Sequence, residues 1–282
     1  MFSRILIYTG CLAVLPVAAL AVGCGDDDED LGDPGASDAG SADEMLVEQT
    51  ISEAIAAYDR QDLTAFLAFF TDDGIEDQFD ATRQQIQAAA DEFFSGPPQL
   101  LRGFADTEVD GDEATTEVEW AIAQSIQKEE YELVREDSGP WKINGSESIT
   151  VAIPSGTNAV DVDLDEFSFE FDMEDIEDGN LAFRADNVGE QPHELVVLKV
   201  PAGFTATQLI DSLDADLPAD IEIIGFTQAD PADDMNLVFT QPLAPGRYMM
   251  ACFLPDQDDP QEAPHAAKGM ISEFTISSQG GN

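Results

Sequence analysis

Two histidines occur in the whole chain, His193 and His265, and both fall in its second half. The same half holds Cys252, and Met270 follows His265 closely. Cys11 sits inside an apolar N-terminal run and Cys24 closes it, so Cys252 is left with no partner for an intramolecular disulfide. Imidazole, thiolate and thioether are the side chains that suit soft and borderline transition metals. A thiol ligates or attacks only after losing its proton. Each residue also has an ordinary reading. A lone buried cysteine behaves as a small hydrophobe, Met270 can pack a core, and His193 can be a satisfied polar group.

The elements that must position these residues read as strands. Val160 to Phe171 (VDVDLDEFSFEF) alternates along its length, the pattern of one long strand with one buried face. Further strands are expected at Asn180–Arg184, Glu194–Val200, Leu237–Thr240, Tyr248–Phe253 and Met270–Ile276, with a short helix, Ala206–Leu213, capped by Thr205. Many short strands separated by turns argue for a β-sandwich. His193 then opens one strand, Cys252 ends another, and Met270 begins the last. Upstream, Met45–Asp59 carries a helical stripe at Leu46, Ile51, Ile55 and Tyr58. Leu63–Phe70, ended by Thr71-Asp72-Asp73-Gly74, and Ala81–Phe94 read as second and third helices. Strand-like segments follow at Thr115–Ile122, Tyr131–Arg135 and Trp141–Asn144, giving an α+β domain.

The segment RYMMACFLPDQDDPQEAPHAAKGMISEFTI, together with DNVGEQPHEL upstream, resembles the cupredoxin (blue-copper) family over roughly Val160 to Ile276. The resemblance implies an all-β Greek-key sandwich holding one type 1 copper ion. His193, Cys252 and His265 would be the in-plane ligands and Met270 the axial one. Such a donor set suits both Cu(I) and Cu(II), so electron transfer needs little rearrangement. The ordinary readings would then have to put the chain's only imidazoles and its only spare thiol at ligand positions by coincidence. Two departures stand out. Twelve residues separate Cys252 from His265, where small blue-copper proteins use a few, and Asp256, Asp258, Asp259 and Glu262 among them would add negative potential. Glu194 stands where the family commonly has an Asn that ties the ligand loops together. The edge of His265, flanked by Pro264, Ala266 and Ala267, is the expected electron port.

In the first half, AIAAYDRQDLTAFLAFFTDDGI and YELVREDSGPWKING resemble the nuclear-transport-factor-2-like (SnoaL-like) family over about Met45 to Ser148. That implies a cone-shaped α+β domain around a pocket. Enzymatic members often place a His-Asp or Tyr-Asp pair there. This stretch has no histidine, and Tyr58 and Asp59 are neighbours on a helix that point in different directions. A binding or spacer domain is expected.

Residues 1–23 read as a signal peptide ending Leu20-Ala21-Val22-Gly23 before Cys24, which resembles a bacterial lipobox with Cys24 as the lipidated residue. A lipid there holds a protein at a membrane surface without spanning it. Residues 24–44 are acidic and Gly/Ser/Ala-rich, a disordered tether. The expected domains are therefore 45–148 and 149–278. Fifty-nine acidic against 11 basic residues give a net charge of −48, which excludes nucleic acid and anionic lipid as partners of the folded part. The expectation is an exported electron carrier rather than a catalyst, anchored in a bacterial envelope on its periplasmic or outer face. Its redox partner would present a basic docking face. The rivals are a metal-free binding or structural lipoprotein, a Cu(I) delivery protein, and an enzymatic first domain with an accessory copper domain.

Overall fold

The structure is a computed structural model and describes residues 11–12, 37–94, 98–177, 179–213 and 217–277. The expected signal peptide, apart from the two-residue strand β1 (Cys11–Leu12), and the expected lipidation site Cys24 lie outside the described residues. Two compact units emerge from the contacts. One comprises Met1–Glu119 and Glu129–Glu147, the other Trp120–Lys128 and Ser148–Asn282. Among the described residues no helix is long and apolar enough to cross a membrane. The chain is sheet-rich, with two sheets and few long helices.

The first unit opens with α1 (Ser37–Asp59), which buries Val47, Ile51, Ala54, Ile55 and Tyr58 along one face. Residues 37–44 of the expected tether are thus helical. Both carboxylate oxygens of Asp43 pair with Arg135 at 3.0 and 3.1 Å. Next come α2 (Leu63–Leu67), α3 (Asp72–Phe79), α4 (Arg83–Ala88) and α5 (Ala90–Phe93). The sequence Thr71-Asp72-Asp73-Gly74 does not merely end a helix; it starts one. The Thr71 hydroxyl accepts the Gly74 N–H, and Asp72 and Asp73 occupy the first turn of α3. Four strands follow: β2 (Pro98–Asp110), β3 (Glu113–Ile122), β4 (Ser125–Val134) and β5 (Lys142–Ser148). β2 went unread in the sequence because none of its described side chains is fully buried, so it shows no clean alternation.

The second unit is built from β6 (Asn158–Asp165), β7 (Ser168–Glu170), β8 (Leu181–Asn187), β9 (His193–Val200), α6 (Ala206–Asp211), β10 (Glu222–Ala229), β11 (Asp234–Phe239), β12 (Gly246–Ala251), α7 (His265–Lys268) and β13 (Ile271–Ile276). Its strands run β11-β8-β6-β7 in one sheet and β10-β9-β12-β13 in the other. Inward side chains from both, Val160, Val162, Leu164 and Phe183 against Leu195, Val197, Met250 and Phe274, share one core. Each of these buried groups contributes about 1.5–3 kcal/mol over an exposed one. β9 is covered on both faces, hence its unbroken apolar run Leu195–Leu198; Val196, Leu198 and Val200 pack against Phe204, Leu209 and Met249. The Thr205 cap is in place, with its hydroxyl accepting the Gln208 N–H.

The long strand expected over Val160–Phe171 is a hairpin. Asp165 faces Ser168 across the β6–β7 pair, and Glu166 and Phe167 form the turn. A carboxylate oxygen of Asp165 accepts the Glu166 N–H at 2.9 Å, the local bond that Asp offers a turn. Reversing direction through a two-residue turn leaves the alternation intact, so the pattern alone hides it.

Candidate metal centre

β9 begins at His193, and β12 delivers Cys252 one residue past its end. The chain then makes a folded excursion and returns. Pro255 bridges Pro264, and the Asp256 N–H donates to the Ala263 carbonyl at 3.0 Å. His265 N–H donates to Leu254 O at 2.8 Å, Ala266 N–H to Cys252 O at 2.8 Å, and Cys252 N–H to Met270 O at 3.2 Å. The twelve-residue interval is therefore closed at its neck, and its length does not separate the chemical groups. α7 carries His265 at its start, and Gly269, at φ 120°, turns the chain into β13.

The outcome is a buried trio. His193 Nδ1 lies 3.1 Å from His265 Nδ1, and Cys252 Sγ lies 3.4 Å from the same His265 Nδ1. One ligand atom from each residue falls within 4.8 Å of the others, and all three residues are shut off from water. Met270 is buried in the same core cluster as Cys252, and its N–H donates to the His265 carbonyl at 3.1 Å.

Burial sets the protonation. Desolvation pushes the Cys252 thiol up to about 12, reinforced by the Glu194 carboxyl nearby. Desolvation, then the neighbouring His193, brings His265 down to about 4; His193 is lowered too, again by desolvation first. Near neutrality both imidazoles are uncharged, so each has one nitrogen lone pair to offer.

Two imidazole nitrogens nose to nose, with a sulfur beside them, suit a cation. An ion bound about 2.0–2.1 Å from nitrogen and 2.3 Å from sulfur, as zinc is, holds trigonal donors ~3.5 Å (N–N) and ~3.8 Å (N–S) apart. The observed 3.1 and 3.4 Å fall short of these by a few tenths of an ångström. The soft thiolate with two imidazoles matches the donor preference of copper.

Several supporting residues went unread in the sequence. Glu166, at the β6–β7 turn, accepts the Glu190 and Gln191 N–H groups at 2.6 and 2.9 Å and approaches His193 Nε2 at 3.5 Å. The Gln191 side-chain amide donates to Asp256 at 2.9 Å and accepts the Gln257 N–H at 2.7 Å. Asn187 donates to the Gln191 and Ala229 carbonyls, each at 2.9 Å. Nothing in the spacing of these residues marks them; only the pairing of the strands brings them together. Glu194, noted as a departure, keeps a tying role. Its N–H donates to Cys252 Sγ at 3.3 Å, and its carboxyl accepts the Phe253 N–H at 3.5 Å. Burial pushes that carboxyl up to about 7.

Two expectations are corrected. The His265 edge is not exposed: its Nε2 is buried without a hydrogen-bond partner, and the Phe167 ring packs on it edge-to-face at 5.1 Å. Ala266 is buried as well, which leaves Pro264 half-buried and Ala267 exposed. The acidic interval is also less negative than its composition suggests. Lys268 pairs with Asp256 and, at 2.9 Å, with Asp259, and the Lys268 and Gln191 bonds hold the Asp256 carboxyl well below the usual range.

No protein-family model and no curated protein matches this chain. Among solved structures, reduced auracyanin from the photosynthetic bacterium Roseiflexus castenholzii is 21% identical over 43% of this chain and 98% of its own, at a TM-score of 0.28. An NTF-2-like protein of unknown function from Shewanella oneidensis is 13% identical over 38% of this chain and 98% of its own, at 0.31. A function-unknown protein from Mycobacterium tuberculosis is 20% identical over 39% of this chain and 79% of its own, at 0.33. These likenesses are partial and distant.

Proposed function

We propose that this chain is a lipid-anchored, exported copper protein that carries single electrons, with a cone-shaped α+β domain over 45–148 and a cupredoxin-like Greek-key sandwich over 149–278. His193, Cys252 and His265 would hold the ion, with the Met270 thioether as the fourth donor. Copper held there would supply one-electron chemistry between Cu(I) and Cu(II). The observation that carries this reading is the facing of two buried imidazole nitrogens, 3.1 Å apart, beside a buried thiol.

The chain's own groups have separate tasks. Cys252 would exchange its proton, released to solvent, for the ion, which a thiol near 12 does only for a strong ligand bond. The Glu194 N–H steadies the sulfur. The folded interval, locked through Gln191, Asp256 and Lys268, holds His265 and keeps water out. That closure favours an electron carrier over a Cu(I) delivery protein, whose ion must leave. Cys24 would carry the lipid, giving an envelope location with membrane contact through the anchor alone. The acidic surface suits a redox partner with a basic docking face, and their association should weaken with salt. Nucleic acid has no place in this reading.

Titrating Cu(II) into the full chain tests it. An intense visible thiolate-to-Cu(II) absorption saturating at one equivalent, and absent in Cys252→Ser, is the expected result. Full-chain protein that stays colourless with Cu(II) and binds no copper overturns the reading.

A further inference from the structure

His193 has two ring nitrogens, and the structure gives each a different neighbour. Nδ1 faces His265 Nδ1 at 3.1 Å; Nε2 faces Glu166 Oε1 at 3.5 Å and has no hydrogen-bond partner. The Glu166 carboxylate is fixed from behind, since the same Oε1 accepts the Glu190 and Gln191 N–H groups at 2.6 and 2.9 Å. The approach also depends on one missing side chain. A Cβ on Gly189 would stand 2.7 Å from Glu166 Oε1 and 2.8 Å from His193 Nε2, closer than real Cβ atoms come.

We infer that Glu166 is a positioning residue that keeps the His193 proton on Nε2 and thereby aims an unprotonated Nδ1 at the metal position. The alternative tautomer would set a buried Nε2 lone pair against a carboxylate oxygen, acceptor against acceptor. With His193 Nδ1 unprotonated, the 3.1 Å contact requires His265 to donate from its own Nδ1 while no metal is bound. The two histidines therefore occupy opposite tautomers: Nε2–H on His193 and Nδ1–H on His265. An outer carboxylate that orients a ligating imidazole commonly carries tenfold to hundredfold in metal affinity. The role in metal binding rests on the copper reading above; the tautomer assignment does not.

Proton–nitrogen correlation NMR of the imidazoles in the metal-free full chain reads the tautomers directly. The expected spectrum has His193 as Nε2–H and His265 as Nδ1–H, with Glu166→Gln preserving that order through its amide oxygen. Glu166→Ala should mix the His193 tautomers. Gly189→Ala, which leaves Glu166 in the chain but displaces it, should do the same. A wild-type His193 carrying its proton on Nδ1, or an unchanged tautomer in both alanine variants, overturns the inference. For Cu(II), Glu166→Ala should weaken binding by about tenfold to hundredfold while keeping the visible band; unaltered affinity overturns the positioning role. If wild-type protein takes no copper at all, the function fails, yet the tautomers still decide whether Glu166 sets His193.

Discussion

Each unit of the chain encloses a cluster of polar side chains, and the two clusters are resolved in opposite ways. In the first unit, the Gln78 amide donates to the Tyr131 hydroxyl at 3.2 Å, and Tyr131 bonds the Glu129 carboxyl two residues earlier on the same strand. Burial, then the nearby Glu129, pushes the Tyr131 phenol well up, and burial raises the Glu129 carboxyl despite the Tyr131 bond. Burial favours the neutral forms, and these groups pair donor to acceptor. In the second unit, the ligating atoms converge instead: nitrogen faces nitrogen, with sulfur alongside. The single Nδ1–H between the imidazoles pairs those two nitrogens, yet two imidazoles and a thiol still crowd one point. A hydrogen-bonded cluster can complete itself, whereas a cluster of converging soft donors is completed by a cation.

The sharpest way to break that contrast is to remove one converging donor. Cys252→Ser replaces the soft thiolate with a hydroxyl, and copper affinity of the full chain should fall by more than the roughly hundredfold typical of losing an outer partner. Equilibrium dialysis against Cu(II) reads it. An affinity unchanged by the substitution would put the ion, if any, elsewhere. In the first unit the comparable cut is Tyr131→Phe, which leaves the Gln78 amide without its acceptor. It should cost about 1–3 kcal/mol of stability by denaturant unfolding and leave copper uptake unaffected.

A smaller effect is expected at Asp256, whose carboxylate accepts from Gln191 and the Asp258 N–H, each at 2.9 Å, and pairs with Lys268. The Lys268 bond comes first among the causes that hold this carboxyl below its ordinary range. A depressed carboxyl contributes stability that is present above its unfolded pKa of about 3.9 and lost as pH falls through the folded value. Asp256→Asn should therefore lower the melting temperature at neutral pH, with the gap to wild type closing below about pH 4. A gap that persists unchanged in acid would mean that the pairing charge is not what Asp256 supplies.

The grouping of His193, Cys252 and His265 was legible because rare residue types sit at element ends, and strand alternation places such ends without any knowledge of sheet order. Most strands of the second half were legible too, since Leu195 to Leu198 and Tyr248 to Cys252 are apolar runs, whereas β10 went unread. The cover of the site was not legible. Glu166 and Phe167 lie in a segment whose period of two persists through a reversal of direction, so a hairpin tip reads as mid-strand. The port expected at His265 failed with it, because the covering ring comes from a segment nearly a hundred positions earlier. In the first half, Thr71 to Gly74 could either end or begin a helix, and only the bond from Gly74 N–H to the Thr71 hydroxyl, at 2.8 Å, settles the choice. Glu129 and Tyr131 went unremarked because a carboxyl and a phenol two apart on a strand are ordinary until their shared face proves to be enclosed.

The smallest effect, at Glu129, probes whether the first cluster is complete in itself. Its Oε2 is cut off from water without a partner, which a protonated carboxyl tolerates and a carboxylate does not. A carboxyl whose folded pKa is raised contributes stability that is fully present below the unfolded value and lost as pH rises through the folded one. Glu129→Gln keeps the shape and removes the proton, so it should match wild type in mild acid and become the more stable chain as pH rises. Unfolding midpoints at several pH values on the full chain read the slope. A Gln variant that is the weaker chain at alkaline pH would show that Glu129 works as an anion, and the first unit too would then hold a site awaiting a cation.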